Sequence, residues 1–212
     1  TEQDTSPQAM NPPQRPLYRH DQLRRLFTPA SIAVVGASPT ESSFGTRTIE
    51  RLERDFAGPV YAVNAKYQRI GERVCHPAVA ALPQRPDCVV IALPIDAVEE
   101  AVLQCAGQDV GGILIFASGY AETGRPERIA MQRRLTQIAQ EHDLRIVGPN
   151  SLGFFNFTIR AGLSFTRSDI CIDAFRGRGI GIVSQSGSMA FAQSQGAFRG
   201  VSLSHVIALG NS

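Results

Sequence analysis

Short, nearly uninterrupted apolar runs recur along this chain, each followed by a stretch of helical character. Residues 31–36 (Ser-Ile-Ala-Val-Val-Gly) are the first; 60–63 (Val-Tyr-Ala-Val), 88–93 (Cys-Val-Val-Ile-Ala-Leu), 112–116 and 145–147 follow. A strand that is apolar at consecutive positions is covered on both faces, as in a parallel sheet sandwiched by helices. A helix predicted to begin near Gly45 carries Ile49, Leu52 and Phe56 until Gly58-Pro59 stops it. Further helices are expected over 96–106 and within 126–142, and Leu23, Leu26 and Phe27 make a short amphipathic turn ahead of Pro29. This alternation implies an α/β fold with a doubly wound parallel sheet. All its parallel strands end at one edge, where ligands bind in such folds.

A second unit is expected after residue 150. Residues 151–178 read as loop-rich, with turns at Gly177 and Gly179; a strand (180–183), a helix (187–199) and a strand (203–209) follow. That pattern is one crossover of a sheet that needs more strands, so the second unit is expected to break off at Ser212. The open sheet edge this leaves would allow copies to associate as a homo-oligomer. Residues 1–16, with Pro7, Pro12, Pro13 and Pro16, read as a disordered or extended tail.

Bulk properties exclude several classes. A net charge of +2 is too near balance for general nucleic-acid binding, and no basic stripe appears. No apolar run reaches the ~18 residues of a membrane span, and no signal peptide opens the chain. Cys75, Cys88, Cys105 and Cys171 lie far apart, and Cys88 sits in an apolar run as a buried free thiol would. A reducing cytoplasm fits that usage. His20, His76, His142 and His205 are scattered without metal-ligand spacing, so no metal site is expected.

The loops at the sheet edge carry the chemistry. Gly36-Ala37-Ser38 ends the first strand without completing GxGxxG, and Gly45 would let the loop pass close to a ligand where a helix N-terminus offers free N–H groups. A glycine after a strand is common in any such fold, so this turn alone does not decide between structure and ligand. The second strand runs into Asn64-Ala65-Lys66-Tyr67, with a cation where an NAD site places a carboxylate. Lys66 could pair with a phosphate on the ribose, which NADP and coenzyme A both carry. Leu93-Pro94 and Ser118-Gly119, with Glu122 and Gly124 beyond, fall at the same edge. Gly148-Pro149-Asn150-Ser151 follows the fifth strand; Asn150 offers a donor and an acceptor, and the same residues also favour a plain turn. Ser184-Gln185-Ser186-Gly187 reads as a capped helix start, and Ser186 with the amides from Gly187 onward would form an anion site.

Taken in order, these stretches resemble the NDP-forming acyl-CoA synthetases, a superfamily that includes succinyl-CoA synthetase (its alpha subunit) and the ADP-forming acetate–CoA ligases. The resemblance covers nearly everything after residue 28. It implies a Rossmann-like CoA-binding domain over 17–156 and the first strands and helix of a flavodoxin-like ligase domain over 165–212. It further implies that Gly36, Ala37, Ser38 and Gly45 face the CoA phosphates. Asn64, Lys66 and Tyr67 would flank the adenine and 3′-phosphate, Leu93, Pro94, Ser118 and Gly119 the cofactor's path, and Asn150 and Ser151 the thiol. Ser186 and Gly187 would receive a phosphohistidine and an acyl phosphate.

The family reaction phosphorylates a histidine from ATP or GTP, with Mg2+ in the complete enzyme. The phosphate then passes to a carboxylate, and CoA attacks the acyl phosphate to give acyl-CoA. The family's phosphohistidine lies in a glycine-rich segment that this chain does not contain, and His205, in a strand-like run, is no substitute. The remaining ligase domains, or a subunit with the nucleotide-grasp fold, are therefore expected partners. Phe154, Phe155 and Phe157 are candidates for shaping an acyl pocket. Two other readings stand beside this one: a non-catalytic CoA-sensing module fused to an acetyltransferase, and an NAD(P)-dependent oxidoreductase domain.

Overall fold

A computed structural model describes residues 17–211; the tail expected over 1–16 lies outside the described residues. The first sheet is built from β1 (Ile32–Val35), β2 (Val60–Val63), β3 (Arg69–Ile70), β4 (Arg73–His76), β5 (Cys88–Ile91), β6 (Gly112–Ile115) and β7 (Ile146–Val147). Its spatial order is β3-β4-β2-β1-β5-β6-β7, with every neighbouring pair parallel except β3–β4. The parallel strands, numbered among themselves, thus run 3-2-1-4-5-6, the order of a doubly wound dinucleotide-binding sheet. β4 supplies the third strand. It carries no long apolar run, because Arg73 and His76 flank only Val74 and Cys75.

Side chains alternate across β1, β5 and β6, so each strand feeds two cores. Ile32, Val34, Val90 and Leu114 face α1 (His20–Phe27) and α2 (Phe44–Asp55) through Leu26, Ile49 and Leu52. Ala33, Val89, Ile91, Ile113 and Ile115 face α3 (Val98–Cys105) and α4 (Pro126–Glu141) through Val98, Val102, Leu135 and Ile138. Cys88 is fully buried, as expected, and Cys75 and Cys105 are buried with it. α2 starts one residue earlier than expected because Ser43 caps it: its Oγ accepts the N–H of Thr46 at 3.2 Å. α4 opens with Pro126 at its first position, where no intrahelical donor is needed.

The segment expected to be loop-rich contains two strands, β8 (Gly153–Asn156) and β9 (Ala161–Leu163). With β10 (Ile180–Ser184) and β11 (Leu203–Ala208) they form a second sheet in the order β10-β11-β8-β9. Only β10 and β11 are parallel, and α5 (Gly187–Ser194) connects them; the helix expected to run to residue 199 tightens into a 3₁₀ turn over Gln195–Arg199. Phe154 packs into the core beneath α2, while Phe155 and Phe157 pack beneath α5 against Phe191 and Ala190. All three are buried in the core.

The two sheets meet where β7 and β11 end. Gly148 N–H donates to Leu209 O at 3.1 Å, and Asn211 N–H donates to Pro149 O at 2.9 Å. Behind this seam Ser151 Oγ donates to Ala208 O at 2.6 Å and accepts Gly153 N–H at 2.9 Å. Asn156, fully buried, anchors the other end by donating to Phe27 O at 2.8 Å. No helix among the described residues is long and apolar enough to cross a membrane.

Candidate functional site

In a 3-2-1-4-5-6 sheet the connections leave β1 and its neighbour β5 toward opposite faces, so a crevice opens between their carboxyl ends. Gly36 closes β1 with φ +97°, and a Cβ there would lie 2.5 Å from Ala92 O at the end of β5. Gly45, in the first turn of α2, is just as tightly placed: its Cβ would lie 2.7 Å from Gly36 O. Only glycine at both positions lets helix, turn and neighbouring strand close up.

The loop between them is tied to the helix it precedes. Thr46 Oγ1 donates to Ser38 O at 2.6 Å and accepts Ser38 N–H at 3.3 Å. Ser43 caps Thr46, and Arg47 N–H reaches Ser43 O, which leaves the Phe44 and Gly45 N–H groups without intrahelical acceptors at the crevice. This is an anion-receptive helix start. A side chain missed from sequence, Ser43, organises it; the Ser-x-x-Thr spacing was the signal.

Asn64 at the end of β2 is spent on structure. Its Nδ2 donates to Ala37 O at 2.7 Å, and its Oδ1 accepts Lys66 N–H at 2.9 Å. The resulting turn presents Lys66 and Tyr67 to solvent, and Lys66 makes no ion pair with any described residue.

On the other side of the crevice, Leu93, Pro94 and Ser118 line a cavity of about 370 Å³ together with Phe44, Ile95 and Phe116. Phe44 stacks on Phe165 with ring centroids 3.8 Å apart, and Phe165 meets Phe116 edge-on. Gly119 adopts φ +96° beside this cavity and donates its N–H to Glu122 Oε1 at 2.6 Å. Asn150 also has positive φ, +59°; its N–H donates to Ala117 O at 2.7 Å and its Nδ2 to Asn211 Oδ1 at 3.3 Å. Ser151, 1% exposed, is committed to the seam. Ser186 caps α5 by accepting Met189 N–H at 3.4 Å, and the side chain of Leu152 would lie 2.5 Å from a Cβ on Gly187.

Thus the structure brings Gly36, Ala37, Ser38, Gly45, Leu93, Pro94, Ser118 and Gly119 around one crevice, with Asn64 bracing it. Lys66 and Tyr67 stand at its β2 end. Asn150 and Ser151 belong to the seam, and Ser186 and Gly187 sit across it on the second sheet. A larger cavity, about 690 Å³, lies on the outer side of α2 near Arg47, Arg51, Arg54 and Arg167, offset by Glu41, Glu50 and Asp169, and none of the expected site residues lines it. No cluster of metal-ligating side chains occurs among the described residues.

Residues 30–156 match the family model described as CoA binding domain. This chain belongs to that CoA-binding family. Its members' cofactor fits what the crevice offers: glycine backbone and free helix amides for a pyrophosphate, and an apolar cavity for an extended arm. The CoA-binding chain is 37% identical over 190 residues to an ADP-forming acetate–CoA ligase of Archaeoglobus fulgidus, covering 89% of this chain and 27% of that protein. It is 34% identical to a trans-feruloyl-CoA synthase of an unknown prokaryotic organism, over 92% of this chain and 28% of that protein. Among solved structures, the dinucleotide-forming acetyl-coenzyme A synthetase 1 of Candidatus Korarchaeum cryptofilum superposes with a TM-score of 0.78 at 29% identity. That match covers 89% of this chain and 40% of the other. The chain therefore spans about a quarter of the length of the curated relatives it matches.

Proposed function

We propose that this chain is the CoA-binding portion of an ATP-dependent, NDP-forming acid–CoA ligase. One observation carries the reading: the stretch similar to acid–CoA ligases runs through nine-tenths of the chain, across both sheets, and not only through the CoA-binding crevice. The full reaction converts a carboxylate, ATP and CoA to acyl-CoA, ADP and phosphate. ATP, with Mg2+, phosphorylates a histidine outside this chain. The phosphoryl group then moves to the carboxylate, and the CoA thiol displaces phosphate from the acyl phosphate.

Within this proposal the chain's residues divide the cofactor among them. Gly36, Ala37, Ser38 and Gly45 hold the CoA pyrophosphate by backbone, and Lys66 and Tyr67 take the adenine and 3′-phosphate. Leu93, Pro94, Ser118 and Gly119 guide the pantetheine arm toward Asn150. Ser186 and Gly187 receive phosphate at the start of α5. The CoA-binding unit, 17–156 by sequence, and the second unit, 165–212, share a sheet, because β8 (Gly153–Asn156) pairs with β11; the β10–α5–β11 crossover opens a flavodoxin-like unit. The further ligase domains, or a nucleotide-grasp subunit, complete the cycle by positioning and electrostatic stabilisation. The four free cysteines suit a cytoplasmic site for this chemistry.

Calorimetric titration with CoA, dephospho-CoA, NAD and NADP tests the reading. CoA binding that weakens without the 3′-phosphate is the expected result. A preference for NADP would transfer the crevice to redox chemistry.

A further inference from the structure

Glu122 stands beside the crevice, yet no step of the proposed reaction uses it. Its two carboxylate oxygens face two different loops. Oε1 accepts Gly119 N–H, in the loop after β6, and Oε2 accepts Nδ2 of Asn211, in the loop after β11. Asn211 Nδ2 also donates to Gln132 Oε1 at 2.9 Å, and that oxygen accepts Ala121 N–H at 3.2 Å. Gln132 Nε2 returns to Asn211 O at 3.1 Å. From Asn211 the connection continues into Gly210, which exchanges two 3.2 Å hydrogen bonds with Gln185, the neighbour of Ser186. A path of hydrogen bonds and the Gly210–Asn211 peptide link therefore runs from Gly119, beside the cavity, to Gln185 at the start of α5.

Burial opposes ionisation of Glu122, but the hydrogen bonds from Asn211 and the Gly119 N–H outweigh it and hold the carboxyl below its ordinary value. At neutral pH the group is an ion that only accepts. A cap of the 3₁₀ turn at Ala121–Thr123 would need the Gly119 bond alone. The bond to Asn211 is what such a cap leaves unexplained.

We propose that Glu122 is a positioning residue that fixes the spacing between the cofactor-lining loop of the first sheet and the loop leading to the α5 anion site of the second. It does not touch the reacting atoms; it aligns the arm that carries the thiol with the place where phosphate is held. This role rests on the CoA-ligase reading.

The test uses the whole chain, with CoA titration and amide hydrogen exchange on wild type, Glu122→Gln, Asn211→Asp and the double variant. Glu122→Gln sets two amide donors against each other and is expected to weaken CoA about fivefold, in the range of partly exposed charged hydrogen bonds. Exchange should quicken together in 117–121 and 209–211. Asn211→Asp places two carboxylates face to face and should do more. The double variant reverses donor and acceptor across the pair, and although Gln132 loses one bond, both readouts should move back toward wild type. Faster exchange confined to 117–121, or a double variant no better than either single one, would overturn the proposal. So would a Glu122→Gln chain that binds CoA as wild type does. Wild type that fails to bind CoA would instead overturn the CoA reading, and Glu122's role toward it, while the exchange data still report on the tie between the loops.

Discussion

In the proposed function the choice of cofactor turns on Lys66. The Asn64 turn sets its backbone and leaves its ammonium in solvent, where it can meet a ribose phosphate without first breaking an ion pair within the described residues. Replacing it with alanine should weaken CoA by about fivefold, the scale of an exposed ion pair. Dephospho-CoA should be little affected, and parallel titrations measure the difference. Equal losses would remove Lys66 from the 3′-phosphate site. Most of the other crevice residues could be named from sequence because glycine, proline and asparagine after an apolar run mark where a strand ends and a turn begins, which in this fold is the edge that holds the crevice. Their division of labour could not. Asn64 and Ser151 looked like ligand contacts, and the structure shows their side chains satisfied by Ala37 O and Ala208 O. A polar side chain in a turn reads the same whether its partner is a ligand or a carbonyl far along the chain.

Among the elements, α2 matters most to the crevice, since its first turn supplies the free amides. Ser43→Ala removes the cap on Thr46 and a hydroxyl contact to Thr46 Oγ1. It should cost about 1 kcal/mol of folding stability. CoA should bind more weakly as well, because the loop that Thr46 holds through Ser38 loses its brace. Thermal unfolding and titration of one sample separate the two effects. A stability loss with unchanged CoA affinity would detach the α2 start from the site. The continuously apolar strands β1, β5 and β6 were legible because burial on both faces leaves a run with no polar interruption. β4, β8 and β9 were not. β4 has polar residues at both ends, Arg73 and His76, and β8 and β9 (Gly-Phe-Phe-Asn and Ala-Gly-Leu) carry no β-branched residue and sit among turn-forming ones. Their signal lies in the pairing partners, which are distant in sequence.

For the whole molecule, the buried thiols and one phenol set a pH limit. Burial raises Cys88 well above its usual range and pushes Cys105 up to about 12; burial, with the charge of Glu99, pushes Tyr120 up to about 12. In the unfolded chain these groups lose protons at about 9 to 10. Between there and about pH 12 the native state therefore binds more protons than the unfolded one, and stability must fall as pH rises through that window. Urea midpoints measured from pH 8 to 11 should decline, and substituting Cys105 by alanine should flatten the decline even while it lowers the starting value. The fold class and the ligand-bearing edge followed from sequence at this scale, whereas the seam between the sheets did not. It depends on Gly148, Pro149 and Asn211 exchanging backbone hydrogen bonds, and backbone groups leave no trace in composition.

The close approach of Gly36, Gly45 and Ala92 has an evolutionary consequence. The part of the crevice suited to holding a pyrophosphate is made of peptide groups, which every residue type possesses, so no side chain there is available for selection to vary. The rim, at Phe44, Ile95 and Ser118, is made of side chains that can change without disturbing those peptide groups. Drift at those margins can therefore reshape the walls of the cavity while leaving the peptide floor as it is. A lineage built on such a molecule would diversify along the rim of the crevice long before it diversified at the floor.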